Sequence, residues 1–314
     1  MTHMARIVHM GSAIVDLTYE IDRVPAAATE VQATRAHVDV GGAFNVMAAA
    51  RAYGVAVVYA GRHGNGPFGE RVRARLGGAG IEVVQPISDD GDTGTCVVLV
   101  DADAERTFVT HAGVESRLER GDLERVDVMP GDYVVLSGYM LSYPASRDAL
   151  CDWADALPSH CTVVFDPGPL VQSIPRPLLE RTLRRADWLS CNADEAFGLS
   201  GEREPLQALQ AMRRTFDLAG AGVLLRLGAN GCLVDQDRRH ADHVPGMPVA
   251  AIDANGAGDT HLGNFVAKLI DGCDALDAAR YANAAAAYAV TRRGGAVAPD
   301  PKTVAAFIRS HHNG

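Results

Sequence analysis

The run Asp253-Ala254-Asn255-Gly256-Ala257-Gly258-Asp259-Thr260, followed by apolar residues at helical spacing (Leu262, Phe265, Val266, Leu269, Ile270), constrains this chain more than any other stretch. A glycine-rich loop that runs directly into a helix leaves the helix's first backbone N–H groups without partners. Those donors and the positive end of the helix dipole attract anions, and Gly256 and Gly258 let the backbone take positive φ and come close to a ligand. Asp259 stands inside that anion-attracting place. A carboxylate there is either an ordinary helix cap or a general base beside an oxyanion hole, as phosphoryl or acyl transfer requires. The loop by itself leaves both readings open.

At 314 residues and 47% hydrophobic content the chain can bury a substantial core, and residues 1–314 read as one α/β domain. A net charge of −10 with scattered basic residues argues against nucleic acid, whose phosphates require clustered Lys and Arg. Cys96, Cys151, Cys161, Cys191, Cys232 and Cys273 show neither C-x-x-C pairing nor metal-ligand spacing and fall mostly inside apolar runs, as reduced core cysteines of a cytoplasmic protein do. No signal-peptide core and no window apolar enough to span a bilayer is expected, so a membrane is not a predicted partner.

Strands alternate with helices along most of the chain. Residues 5–10 form an apolar run ending at Gly11, with Asp16 just beyond, where ligands meet the carboxyl ends of strands in open α/β sheets. A helix opens at Gly41-Gly42-Ala43-Phe44-Asn45 and ends at Gly54. A strand at 55–60, a helix at 67–80 and a strand at 81–86 follow. Residues 95–101 and 106–110 break the alternation and read as a β-hairpin turning at 102–105. With 14–20 and 34–40 they predict a small separate sheet. Strands at 133–137, 162–166, 188–191, 223–227 and 232–235 then alternate with helices at 145–157, 176–185 and 204–218, and three helices complete the chain. This pattern predicts a doubly wound, mainly parallel sheet covered on both faces.

D-x-x-G-A-G-D in the last quarter of such a chain resembles the signature of the ribokinase-like, or PfkB-type, carbohydrate and nucleoside kinases. The likeness extends over the whole chain and implies a three-layer α/β fold with a β lid built from about 14–40 and 95–111. It implies ATP and Mg²⁺ as cofactors, with K⁺ as a further candidate held near Asp253. Asp259 becomes the base, and the N–H groups of Gly256, Ala257 and Gly258 receive the transferring charge. Gly42 and Asn45 resemble the family's sugar-contacting Gly-Gly signature, and Asp16 its hydroxyl-binding acid; two vicinal hydroxyls suit one carboxylate. Asn192-Ala-Asp-Glu195 resembles the N-x-x-E motif beside the triphosphate, with Glu195 acting on Mg²⁺ through water, although N-x-x-E is equally a helix capping box. Arg226, Gly228 and Gly231 resemble the turn beside the nucleotide, which is also what a plain hairpin would use, and Asn283 falls near the adenine pocket.

The chain departs from ribokinases proper at Ala43-Phe44-Asn45, where they carry a lysine and one more residue before the Asn. An apolar Phe44 near the sugar suits a larger, partly aromatic ligand, and Phe108, with His111, would close over it. The expected substrate is a small molecule: a purine ribonucleoside such as inosine, guanosine or adenosine, with ribose, fructose or a related sugar as the alternative. A non-catalytic nucleoside-binding module is disfavoured by the presence of Asp259. A dinucleotide-binding dehydrogenase would need G-x-G-x-x-G after the first strand, where Gly11-Ser12-Ala13-Ile14 stands, and a P-loop is absent from the sequence. A monomer and a homodimer paired through the lid are both open.

Overall fold

Successive residues of the apolar strands point to opposite faces of one sheet, and both faces are covered. Val163 and Phe165 pack into one core while Val164 packs into the other, as Val223 and Leu225 do against Leu224. This explains why those strands are continuous apolar runs and not alternating ones. One core takes Leu150, Leu179 and Met212 from helices on its side, and the other takes Phe44, Phe265 and Ala279 from theirs.

The computed structural model describes residues 4–103, 105–218, 220–236 and 240–312. Its strands are β1 Arg6–Met10, β2 Ala13–Glu20, β3 Arg35–Gly42, β4 Ala56–Tyr59, β5 His63–Gly64, β6 Glu82–Val83, β7 Ile87–Ser88, β8 Thr95–Val100, β9 Arg106–His111, β10 Tyr133–Ser137, β11 Thr162–Asp166, β12 Trp188–Asn192, β13 Gly222–Arg226, β14 Cys232–Asp235 and β15 Asp242–Val244. The main sheet runs β15-β14-β13-β12-β11-β10-β1-β4-β6. It is parallel from β6 to β13, and β14 and β15 return antiparallel. Strand order reverses at β1, between β4 and β10, so the ligand crevice is expected outside the carboxyl ends there.

The lid is a separate sheet of order β3-β2-β8-β9, as the sequence predicts; Ala104 of the expected hairpin turn lies outside the described residues. The expected strand at 81–86 is instead two short pieces, β6 and β7, and β7 pairs with β5 away from the main sheet. Asp16 lies inside β2 of the small sheet, as the expected strand at 14–20 implies, because the chain continues from β1 into a second strand within three residues. A five-residue helix, Gly138–Ser142, and the edge strand β15 carried no readable pattern; each is too short for one.

Candidate active site

Close backbone contacts place Asp259. The helix Ala257–Ile270 begins at Gly256, whose φ of 70° and whose distance of 1.8 Å from a would-be Cβ to the Gly295 carbonyl oxygen admit only glycine. About two turns further, a Cβ on Gly263 would stand 2.4 Å from the Val46 carbonyl oxygen, so this helix lies tightly on the helix Ala43–Tyr53. That contact brings Asn45 Nδ2 to donate to Asp259 Oδ2 at 3.0 Å, while Asn45 Oδ1 stays buried without a partner. On the lid side, a Cβ on Gly41 would stand 2.0 Å from Asp16 Oδ2, and Gly42 has φ 61°. The Gly-Gly pair therefore makes room for the Asp16 carboxylate and turns the chain into the helix that carries Asn45.

No side chain caps the helix at Gly256. The Ala257 N–H closes a turn on Ala254 O at 3.3 Å; among the described residues, the N–H groups of Gly256, Gly258 and Asp259 have no protein acceptor. Those three are the open donors at this helix start, and the Ala257 N–H, expected among them, is spent on the turn. By contrast, the helix Ala193–Ser200 is closed by its own side chains: Asn192 Oδ1 accepts from Glu195 N, and Asn192 N donates to Glu195 Oε2, both at 2.8 Å. N-x-x-E is here a capping box, and Asn192 retains its amide NH₂ for a ligand.

Three carboxyls have raised pKa values. Burial pushes Asp259 up to about 6, with Asp166 adding to the rise and Asn45 and Arg226 opposing it. Burial pushes Asp16 to about 7, with the charges of Asp259 and Asp39 contributing. Glu195 also rises to about 7, first through burial and then through Asp166, against the pull of Arg226. Carboxyls held near neutrality in a crevice suit proton transfer.

Several expected contacts are corrected. Arg226 is 9% exposed, and its guanidinium is held by Asp166 at 3.1 Å, Glu195 at 3.3 Å and Ser190. It sits beneath the glycine loop as a fixed positive charge and is not a hand for the nucleotide. Asn283 spends its amide on His261, Val244 O and Pro245 O, so it ties its helix to the end of β15 and has nothing left for adenine. Gly231 closes the β13–β14 hairpin, where a Cβ would stand 2.1 Å from Val244 O, whereas Gly228 at φ 59° faces open space. Phe44 is 2% exposed and belongs to the core, with Arg75 over its ring at 5.0 Å. It touches no substrate cavity.

Between lid and body lies a cavity of about 610 Å³. Lid register sets its ceiling in three rows: Asp39-Asp16-Cys96-Thr110, then His37-Thr18-Val98-Phe108, then Arg35-Glu20-Val100-Arg106. Asn45, Asp16 and Glu20 all line the cavity, which therefore runs the length of β2. Phe108 shares the middle row but stands 56% exposed at the edge strand, outside the cavity lining. His111 is corrected: it pairs with Thr95 in a row facing the other way. Arg106 of the lid reaches Asp253 of the body, and Asp253 also accepts from Asn255 N at 2.8 Å and Gly294 N at 3.0 Å.

Asp166, Ser190, Glu20 and Arg106 were not singled out from sequence. Asp166 had a usable signal, since it ends an apolar strand just as Arg226 does. For Mg²⁺ the donors are hard oxygens, but Asp166 and Glu195 each already give an oxygen to Arg226. No group of three or more His, Cys, Asp or Glu among the described residues is arranged to hold a metal. That donor set fits an ion held mainly by nucleotide oxygens and water, with Glu195 behind the water. At Asp253 a K⁺ would compete with the Arg106 guanidinium on Oδ1, whereas Oδ2 accepts only Gly294 N.

An uncapped helix start with an acid at its mouth, in a crevice at the strand ends, suits the transfer of an anionic group to a hydroxyl. Residues 4–302 match the model of the pfkB family of carbohydrate kinases, and the chain belongs to that family. It is 31% identical to the uncharacterized sugar kinase YegV of Escherichia coli (95% of this chain, 92% of the relative). It is 30% identical to an ATP-dependent ribose-1-phosphate kinase of Halopiger xanaduensis (97% and 98%). A ribokinase structure from Giardia lamblia superposes with a TM-score of 0.84 at 22% identity, covering 96% of this chain and 99% of that one.

Proposed function

We propose that this kinase transfers the γ-phosphoryl group of ATP to the 5′-hydroxyl of a ribonucleoside, with purine nucleosides preferred. The carrying observation is that Asp259 is bonded to Asn45, which lines a cavity whose ceiling continues from Asp16 to Glu20, longer than a single pentose needs. Asp259 takes the proton of the attacking hydroxyl. The N–H groups of Gly256, Gly258 and Asp259 receive the charge that spreads over the phosphoryl oxygens in a loose transition state. Asp16 and the orphaned Asn45 Oδ1 accept hydrogen bonds from the sugar hydroxyls. Arg226 holds Glu195 and Asp166 in place, and Asn192 offers its NH₂ to the phosphates. Mg²⁺, when bound, neutralises charge on the leaving phosphate oxygens. Closure of the lid excludes water that would otherwise hydrolyse ATP.

The names of the two relatives with stated ribose chemistry, a ribose-1-phosphate kinase and a ribokinase, support a ribosyl substrate. They also favour a second reading, a kinase for ribose, its phosphate, fructose or a related sugar. An ATP-consumption assay with Mg²⁺ over inosine, guanosine, adenosine, cytidine, ribose, ribose 1-phosphate and fructose, with the product weighed by mass spectrometry, separates the two. Phosphorylated nucleosides beside inert free sugars support the first; the reverse overturns it.

The six cysteines are free and, apart from the half-buried Cys273, buried, which agrees with a reducing cytoplasm. No helix among the described residues is long and apolar enough to cross a membrane. The outer face of the lid exposes Tyr19, Val38 and Val109, and gel filtration decides between a monomer and a homodimer that covers them.

A further inference from the structure

Towards its far end, short of Asp22, Asp101 and Ala102, the cavity carries a row the sequence did not foretell, and its chemistry is mixed. Glu20 accepts Arg293 at 2.9 Å and stands 3.7 Å from Arg35, both through Oε1. Among the described residues nothing bonds Oε2. Two strands over in the same row, Arg106 gives one terminal nitrogen to Asp253, and among the described residues its other N–H groups have no acceptor. An open acceptor and an open fork of donors thus share one row on either side of Val100, with roughly 10 Å between their backbones, four residues along β2 from Asp16, about 13 Å at roughly 3.3 Å per residue. Between the two ends lie Thr18 and Val98, an uncharged stretch of ceiling with His37 at its margin.

We infer that this far row, Glu20 with Arg106, reads the N1–H and O6 edge of a 6-oxopurine base, so that the enzyme selects inosine- and guanosine-type nucleosides over adenosine. The inference rests on the nucleoside reading above. Arg106 donates to O6, an acceptor that arginine also uses, together with N7, on the neighbouring edge of guanine in nucleic acids, and Glu20 Oε2 accepts N1–H. Adenine presents the opposite pattern, an acceptor at N1 and a donor at position 6. It would set its N1 lone pair against the Glu20 carboxylate and its amino group against Arg106. A substrate phosphate fits worse than a neutral edge, because the cavity is lined by six acidic side chains against three arginines. A site built to hydrogen-bond one edge rejects the wrong one strongly, since its buried polar groups are then left unpaired.

The test measures kcat and KM for inosine, guanosine, adenosine and ribose 1-phosphate with the wild type, Glu20→Gln and Arg106→Gln. ADP binding by calorimetry shows that each variant still folds. The expected result is a preference in kcat/KM for inosine and guanosine of at least tenfold over adenosine. Glu20→Gln should shrink it, because an amide can donate to N1 of adenine, and the change should appear mainly in KM. Arg106→Gln should raise KM for inosine about tenfold. Equal use of adenosine and inosine by the wild type, or a preference unmoved in Glu20→Gln, overturns this inference and leaves the nucleoside reading standing. Turnover of ribose 1-phosphate with no nucleoside phosphorylated overturns both.

Discussion

The floor and the ceiling of the cavity are built by opposite means. On the floor, Asn45 and, beneath it, Thr260 and Asn264 are 6%, 1% and 0% exposed; the helices that carry them meet at Gly263, against the Val46 carbonyl, and Gly256 meets the Gly295 carbonyl of the neighbouring loop, two places where glycine alone fits. The ceiling ends in an edge strand whose Phe108 and Val109 are 56% and 61% exposed, and it is tied to the body near its far end by Arg106–Asp253 and Arg293–Glu20. A rigid floor can hold reacting atoms in fixed geometry, which a phosphoryl transfer with little covalent work for the protein requires. An exposed ceiling held by ion pairs can open and can change its contacts without disturbing that geometry. The comparison assigns the chemistry to the floor and the choice of substrate to the ceiling.

The sharpest way to break this division is Asp259→Asn. General-base loss should lower kcat by about 10²–10⁴ for every accepted substrate alike, with ADP affinity retained. Steady-state kinetics with calorimetry for ADP check it, and an Asn variant with normal turnover would remove Asp259 from the role. A lid variant, in contrast, should reorder substrates.

Phe44→Ala is the next largest effect. Phe44 is buried beneath the floor with Met47 and Phe265, and truncating it should cost about 3–5 kcal/mol of stability. The order of substrates used by the surviving enzyme should not change. Chemical denaturation and the substrate series together check this, and a reordered series would return Phe44 to the site.

The same residue shows where the sequence stops being legible. The glycine loop, the Gly-Gly pair and the capping box could be read because each is contiguous and each glycine or cap answers a local backbone need. The parallel strands could be read because burial on both faces makes them continuously apolar. In the helix Ala43–Tyr53, however, every residue from Ala43 to Ala50 is buried. No polar stripe marks which face meets the cavity and which the core, so an aromatic next to Asn45 looked like a ligand contact. The Arg226 cluster joins Asp166, Ser190 and Glu195 from neighbouring elements that only the sheet register aligns. The three lid rows depend on register too: Glu20, Arg35, Val100 and Arg106 are distant in sequence, and one residue of slip on β2 would turn Glu20 away.

A pH profile sharpens the assignment of the base. Asp259 has to be ionised to accept a proton, and its pKa is pushed up to about 6. kcat should therefore fall about tenfold per unit as the pH drops below that value. Asp16, at about 7, should show instead in KM, since its charged form accepts the substrate hydroxyls. A turnover flat down to pH 5 would mean that another group takes the proton.

The smallest effect separates binding from folding in Asp16. Its folded pKa of about 7 lies above the ordinary value of 3.8, so between the two the folded chain holds a proton that the unfolded chain releases. Stability attributable to this carboxyl is then present at low pH and is lost as the pH rises towards 7. At pH 8 the folded protein keeps an ionised Asp16 close to the charges of Asp39 and Asp259, an arrangement that favours hydroxyl binding and disfavours folding. Asp16→Asn should raise Tm at pH 8 by roughly 2–4 °C, while weakening substrate binding. The gain should shrink at pH 5, where the folded wild type carries Asp16 largely protonated and part of the penalty is gone. Scanning calorimetry of both proteins at the two pH values measures it. A variant that melts lower than the wild type at pH 8 would show that Asp16 holds the first row of the ceiling together, and the division between a structural floor and a selective ceiling would then fail at the strand they share.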